Sequence, residues 1–530
     1  MNWNNLSALL VMILLIFIIL ASSGIVSAAR AQQTRIGLVN VASLSSPQTP
    51  IIEIPVQNES LPLGITIGPN NDIWFAENNA TAIIEYNPNN QSFKSYTVPS
   101  NGTSMIWFMV FDSSGNLWFS NQLQPYLWRF TPATGQFENF STGSEYVRPF
   151  AIAYDNSTNR IWFTSTYTDQ IGYFNLDGEN ASMGGLINVT GTAVLKIPPL
   201  YGPTGIQIDL EGNVFISEPF SANIVEYSPS EQRFVNVWRL PNEAQPVGIA
   251  FDNADGTIWF ANHASSLFGY LNITSGKVTE FATSPYEFFG DTISLPYWDQ
   301  LSSSGIVWFD EHASNKIARY DPATGLLTEF EIPTNQSSPL RFVIDNRLGE
   351  VWFTEFFGSN LAKVAENASC QCTVQLSSRY LTMTSNSLSF YLKYIAPFNQ
   401  TLSSNSPNPL IAGTFQTDGL ITNNLTTSFS ITNSTDYKIT LSRGPELLSG
   451  NYTITVCPRI TSSDNITSPA PIRQCATAFI SVLNHSTQPQ FLIYLVVTIG
   501  VVAAGVATLV LTNYFRKKSR NPQSRYSKPI

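Results

Sequence analysis

Three histidines serve the whole 530-residue chain: His263, His312 and His485. Imidazole moves protons near neutral pH and ligates divalent metals, so its placement bounds the chemistry on offer. His263 closes the run Trp259-Phe260-Ala261-Asn262-His263, and His312 closes Trp308-Phe309-Asp310-Glu311-His312. The offset from Trp-Phe is the same in both, so the two rings are expected on one loop face of neighbouring units. Glu311 is adjacent, and Glu355 follows Trp352-Phe353 at the offset of Glu311. Glu311, His312 and Glu355 are therefore a candidate set for a divalent metal. Glu77, Glu218, Glu311 and Glu355 share one repeat position. Opening onto a central channel, that position makes an acidic ring suited to calcium or magnesium; the competing reading is hydrogen bonding at strand ends. The ligand-binding candidates are Glu77, Glu218, His263, Glu311, His312 and Glu355, against the plainer reading of the histidines as solvated loop residues.

The element that carries these side chains is a repeat. A hydrophobic residue, an aromatic pair and a polar stretch recur at Ile73-Trp74-Phe75, Leu117-Trp118-Phe119, Ile161-Trp162-Phe163, Val214-Phe215-Ile216, Ile258-Trp259-Phe260, Val307-Trp308-Phe309 and Val351-Trp352-Phe353. Counted from Trp74 the steps are 44, 44, 53, 44, 49 and 44 residues. A period of this length, with four strand-like pieces and turn residues between them, is that of a β-propeller. Seven units predict seven blades over 51–366, with the aromatic pairs packed between neighbours. The last unit lacks an outer strand, and a spare one, Ile51-Ile52-Glu53-Ile54-Pro55, precedes the first. Residues 51–56 are expected to complete the seventh blade.

The units Leu61-Pro62-Leu63-Gly64-Ile65, Gln245-Pro246-Val247-Gly248-Ile249, Trp352-Phe353-Thr354-Glu355 and Asn315-Lys316-Ile317-Ala318-Arg319-Tyr320 carry a family likeness. Over 51–365 the repeat resembles that of the streptogramin B lyases (virginiamycin B lyase-like propellers), and more loosely gluconolactonase-like propellers. The resemblance implies a seven-bladed propeller that opens a cyclic depsipeptide lactone by elimination, with a magnesium ion and two histidines. Those histidines follow the proline of the inner-strand motif in the sixth and seventh blades. Here these places read Pro296-Tyr297-Trp298-Asp299 and Pro339-Leu340-Arg341-Phe342, with Tyr297 and Leu340 where histidine is expected. The glutamate places implied for the metal hold Ser338 and Phe356. Elimination needs a base beside a carbonyl and an acid for the leaving oxygen, and leucine serves as neither. The catalytic pattern is not retained. Tyr297, Asp299 and His312 are what remains as catalytic candidates, with Glu311 and Glu355 in support.

Composition sets the surroundings. Charged residues are 12% and the net charge is −10, which excludes nucleic acid as a partner, since phosphate binding needs a cationic face. Residues 1–29 read as a signal peptide with an unbroken apolar run from Ala8 to Ala21, or as an uncleaved anchor; 30–50 is a linker. Phe491 to Thr512 is long and apolar enough to span a bilayer, and the basic tail 513–530 marks the cytoplasmic side. Asn-x-Ser/Thr sites recur from Asn58 to Asn484, as on a glycosylated surface protein. Residues 370–484 lose the repeat and read as an immunoglobulin-like sandwich acting as a stalk. Cys370, Cys372, Cys457 and Cys475 are disulfide candidates; Cys457–Cys475 is favoured within one hairpin, with cross-pairing as the alternative. Together these features predict an all-β, membrane-anchored extracellular propeller that binds a ligand, glycan or protein without catalysis. The alternative is a divergent lyase or lactonase.

Overall fold

The computed structural model describes residues 50–100, 104–178, 180–189, 201–241, 244–263, 266–283, 287–288, 291–292, 294–368, 373–385, 387–395, 410–416, 425–431, 436–443, 450–458 and 472–483. It is all-β apart from one 3-10 turn at Thr166–Thr168. The first repeat shows the plan: Pro62–Ile67, Ile73–Glu77, Ala82–Asn87 and Ser92–Thr97 form one four-stranded antiparallel sheet in sequence order. Strands within 109–141, 152–188, 206–239 and 246–282 repeat it. In the seventh repeat Pro339–Asp345, Glu350–Glu355 and Asn360–Ala365 take their fourth strand from Ile51–Pro55, with Ile51 opposite Val364 and Pro55 opposite Asn360. The spare strand thus lies where the repeat register placed it.

The expectation of seven separate blades needs correction. Six sheets stand alone. The strands of the sixth repeat, Pro296–Leu301, Val307–Glu311, Lys316–Asp321 and Leu326–Glu331, form half of an eight-stranded sheet. Their outer strand pairs with Ile472–Val482, which pairs in turn with Gly450–Pro458 and, in parallel, with Tyr380–Met383. The physical reason is an open edge: Leu326–Glu331 offers unpaired backbone groups, and the chain covers them with its own later strand. A second sheet, made of Thr373–Leu376, Ser387–Ile395, Asp436–Arg443 and Leu425–Ile431, faces this extension across a small core that includes Phe390, Ile439, Tyr452 and Ile454. Val456 stands opposite Ala476, so Cys457 and Cys475 follow as the next facing residues of that hairpin.

Buried aromatic rings hold repeat to repeat. Trp118, Trp162, Trp308 and Trp352 are among the largest fully buried side chains. Trp162 meets Tyr227 of the fourth repeat at 5.9 Å, Trp259 meets Tyr320 of the sixth at 5.7 Å, and Trp352 meets Tyr86 of the first at 5.9 Å. Burial of each ring stabilises by roughly 1.5–3 kcal/mol. A belt of hydroxyls adds direction. Ser120 Oγ donates to the Phe150 carbonyl (2.6 Å), Thr164 Oγ1 to Thr204 (2.9 Å), Ser217 Oγ to Val247 (2.7 Å) and Thr354 Oγ1 to Leu63 (2.8 Å). The last of these closes the seventh repeat on the first. Glycine makes the approach possible: a Cβ on Gly248 would lie 2.6 Å from the Asp299 amide, and one on Gly205 would lie 2.5 Å from the Val247 carbonyl.

Residues 1–49 and 484–530 lie outside the described residues, and with them the predicted signal and membrane segments and His485. Cys370 and Cys372 lie outside as well. Among the described residues no helix is long and apolar enough to cross a membrane.

Candidate functional site

The two repeat-borne histidines do meet. His263 Nε2 lies 3.0 Å from His312 Nε2, with ring centroids 5.1 Å apart. The backbone fixes the first ring's root, because the His263 amide donates to the Gln245 carbonyl at 3.1 Å. The same backward bond recurs from Asn78 to Leu61 and from Gln122 to Met105, so the repeat itself sets this position. Tyr297 stands edge-on to both imidazoles, at 5.6 Å from His263 and 5.8 Å from His312. Trp107, from the second repeat, lies 5.9 Å from Tyr297. These rings make an aromatic patch where inner-strand starts of several repeats converge. Both imidazoles keep part of their surface open, yet protein surrounds them densely. Burial holds His263 down to about 4, and burial with the neighbouring ring holds His312 well below its ordinary value. Both are neutral at pH 7.

Tyr297 is half-buried and Leu340 likewise. Burial, then the nearby Asp310 charge, pushes the Tyr297 phenol well above its ordinary range. It is no base at neutral pH. Asp299 turns away from solvent altogether: it is 1% exposed, neither carboxylate oxygen accepts a hydrogen bond of normal geometry, and burial pushes its pKa well up. The candidates Tyr297, Asp299 and His312 therefore do not form a base, acid and orienting group.

Beneath the patch lies a polar cluster that the sequence reading passed over. Asp310 replaces the belt hydroxyl in the sixth repeat. Its Oδ1 accepts from the Tyr297 amide (3.1 Å) and the Trp298 amide (2.9 Å), while Oδ2 is buried without a hydrogen-bond partner. Burial raises it to about 7, against the pull of those amides and of Arg341. Arg341 is buried with its guanidinium carbon 3.9 Å from the Phe108 ring and 4.1 Å from the Trp298 ring. Its Nε and Nη1 find no acceptor, and burial lowers its pKa to about 9. The signal was present in the repeat: the position held by Gly64, Gly205 and Gly248 is Phe108 in the second repeat, Trp298 in the sixth and Arg341 in the seventh. Phe108 and Trp298 meet at 4.7 Å although their repeats are not neighbours, so these side chains fill the axis of the ring.

The glutamates occupy a different place from the acidic ring described above. Glu77, Glu218, Glu311 and Glu355 are buried at the ends of their strands. Glu218 Oε2 accepts from Ser221 Oγ (2.7 Å) and Asn223 Nδ2 (2.9 Å) of its own hairpin. Glu311 Oε2 accepts from Ser314 Oγ (2.8 Å) and lies 4.0 Å from Lys316 Nζ; Glu355 Oε2 accepts from Asn360 Nδ2 (2.9 Å). Burial raises all four pKa values, Glu218 to about 7. Glu218, Glu311 and Glu355 tie their own hairpins, while Glu77 interacts with Ser60 and the Gln57 backbone. Among the described residues no group of three or more His, Cys, Asp or Glu is gathered to hold a metal. The proposed set of Glu311, His312 and Glu355 is corrected accordingly, because both carboxylates are turned into their own repeats. The same holds for the magnesium that the resemblance implies: a hard cation wants convergent oxygens, and Ser338, Phe356 and two buried hairpin carboxylates do not supply them.

The closed ring of repeated four-stranded antiparallel sheets defines the molecule as a β-propeller. Within that class, the family model described as the virginiamycin B lyase family matches residues 49–287 and 188–374, more than half of the chain, and the chain belongs to that family. Among solved structures it resembles selenomethionine-substituted virginiamycin B lyase from Staphylococcus aureus, at 20% identity and a TM-score of 0.51, over 59% of this chain and 98% of that one. A catalytically inactive form of that enzyme with quinupristin gives 21% identity and a TM-score of 0.51, over 59% of this chain and 98% of the other. A streptogramin B lyase structure also gives 21% and 0.51, over 59% of this chain and 96% of the other. At this identity the likeness concerns the fold. None of the curated proteins matches the chain in sequence.

Proposed function

We propose that this chain is a surface binding module: an extracellular propeller whose ligand seat is the aromatic patch of Trp107, Tyr297, His263 and His312. In this reading the sixth repeat's half of the composite sheet is the seventh sector of the ring. The two-sheet region beyond it is an immunoglobulin-like stalk with Cys457 joined to Cys475, and 491–512 is the membrane span. Sequons from Asn58 onward suit a glycosylated surface. One observation carries the reading. Where the family resemblance calls for two proton-transferring imidazoles, the half-buried Tyr297 and Leu340 stand, and the Tyr297 phenol is held in its neutral form. A half-buried tyrosine beside a nearly buried tryptophan gives a face for an apolar or sugar ring, with hydrogen-bonding edges from the histidines.

The test uses the full-length protein in detergent against a glycan panel and a panel of cyclic lactones. Binding without turnover, weakened at least tenfold by Tyr297→Ala and little by Tyr297→Phe, is the expected result. A second reading is favoured by the His263–His312 contact, since one of two neutral imidazoles 3.0 Å apart is able to accept a substrate proton that its neighbour then helps to hold. Lactone opening that His312→Ala abolishes and Tyr297→Phe spares would replace the binding module with a divergent lyase or lactonase.

A further inference from the structure

We propose that Arg341 binds an anionic group on the ligand, a carboxylate foremost. The aromatic seat proposed above, on which this rests, then takes ring-bearing acids such as uronic sugars over their neutral counterparts. The inner strands of the sixth and seventh repeats begin alike. Each is bulged at its start, between Pro296 and Asp299 and between Pro339 and Arg341. A bulge re-aims side chains, so consecutive residues reach the middle of the ring. Arg341 follows Leu340 as Trp298 follows Tyr297 and Phe108 follows Trp107. Trp107 and Tyr297 meet at the seat, and Phe108 and Trp298 meet one residue further along the same strands. Arg341 therefore belongs to the layer beneath the seat, and its charge and the Tyr297 phenol act on each other. The side chain keeps 5% of its surface open, with the guanidinium carbon 3.9 Å from the Phe108 ring and 4.1 Å from the Trp298 ring. Such ring contacts draw on the charge and leave the N–H bonds free. Nε and Nη1 find no acceptor, and the guanidinium makes no ion pair among the described residues. Asp310, whose charge it feels, has Oδ1 committed to the Tyr297 and Trp298 amides. Burial raises Asp299 and Asp310, the second to about 7, so both resist carrying charge against an incoming anion. A planar fork of donors without a partner matches a carboxylate, which accepts two parallel N–H bonds, and the rings above bed the rest of the ligand.

The plain alternative is an arginine that only fills the axis, and matched probes separate the two. Full-length protein in detergent is titrated with glucuronate against glucose and with benzoate against benzamide, followed by ligand-observed magnetic resonance. The titrations run at about pH 6, where Asp310, raised to about 7, is mostly protonated. Each pair keeps the ring and changes one group. In at least one pair the acid should bind about tenfold or more tightly than its neutral partner, the gain of a hydrogen bond to a charged group. Arg341→Met should erase that preference in a protein whose melting curve shows it folded. Arg341→Lys, a point charge without the fork, should keep part of it. Tyr297→Ala should weaken the acid and its neutral partner alike. Equal binding within both pairs, no binding of either acid, or a preference that survives Arg341→Met overturns the proposal. A preference lost with Arg341 and untouched by Tyr297→Ala upholds the anion site and counts against the aromatic seat. Neutral glycans that need Tyr297 and gain nothing from an acid group uphold the seat and overturn the anion site.

Discussion

At the scale of the residue, Arg341 is the least expected side chain in the ring. It brings a cation to the axis with two N–H groups that find no acceptor. Each buried donor left unpaired costs about 1–3 kcal/mol. The faces of Phe108 and Trp298 return about 2 kcal/mol through cation–π attraction, and the Asp310 charge adds to that. The opposing terms are of similar size, so Arg341→Met, which keeps the length and drops the charge, should melt at or above the parent temperature. Arg341→Ala opens a cavity between the rings and should cost about 2–4 kcal/mol. Calorimetry that places the Met variant well below the parent would mean the charge itself holds the axis together. Much of the site was legible in the sequence. The histidine pair followed from equal offsets after Trp-Phe, since a repeat carries equal offsets to equal places. The glutamates misled for a physical reason. In Ile73–Glu77 and Val307–Glu311 every residue is buried, so the two-residue alternation that marks a solvent face is erased. Arg341 and Asp310 announced themselves only as exceptions, a cation at a glycine position and an acid at a hydroxyl position.

At the scale of the element, four of the seven repeats end an inner strand on a buried glutamate, Glu77, Glu218, Glu311 or Glu355, and this makes stability depend on pH. Burial raises Glu218 from 4.5 to about 7, against the hydrogen bonds of Ser221 and Asn223. A carboxyl raised on folding binds more protons when folded than when unfolded. Its contribution is therefore complete below about 4.5 and is lost as pH rises through about 7. Glu218→Gln keeps the hydrogen bonds and removes the titration. It should flatten the fall of melting temperature between pH 5 and pH 8 and leave the variant the more stable of the two at pH 8. An equal slope in both proteins would show that Glu218 is charged throughout. The histidine pair acts in the opposite sense, because its depressed values withdraw stability as pH falls from about 6.5 toward 4. The outer strand is the other elemental device. Ile51–Pro55 pairs along its whole length with Asn360–Ala365, and the Glu53 carboxylate accepts from the Thr334 amide at 2.7 Å. Removing 50–57 frees both a sheet edge and the tie across 281 positions of sequence, so the ring should lose its cooperative melt. A sharp transition at the parent temperature would show that the ring closes without it.

At the scale of the whole molecule, the surprise is continuity between the propeller and the two-sheet region that follows it. The sequence marked a change at about residue 370, where the Trp-Phe period stops, and it gave no sign that a strand a hundred residues later returns to the ring. Strand pairing between distant segments leaves no local pattern, because any exposed edge offers the same backbone groups. Here the return is extensive. Leu326 to Phe330 pairs with Ala476 to Ile472, and Thr477 Oγ1 donates to the Gly325 carbonyl at 2.9 Å. Arg379 reaches the Ala323 carbonyl at 2.9 Å and the Tyr320 hydroxyl at 3.3 Å, and Thr453 Oγ1 donates to the Glu280 carbonyl of the fifth repeat. Phe479 packs on Phe281 at 5.7 Å, and Cys475 is buried in the core that also holds Trp259 and Tyr320. A two-sheet region joined by a hinge would melt on its own; one sharing a sheet with the ring exposes that ring's core when it opens. Calorimetry of the full-length protein should therefore show the two-sheet region and the propeller unfolding in one transition. Arg379→Ala together with Thr477→Val, which cuts the side-chain ties and spares the strand pairing, should lower that single transition by about 2–4 °C, the shift that about 1–2 kcal/mol makes in a large domain. Two separated transitions in the parent protein would mean that the shared sheet does not couple the halves, and the two-sheet region would then be a separate module after all.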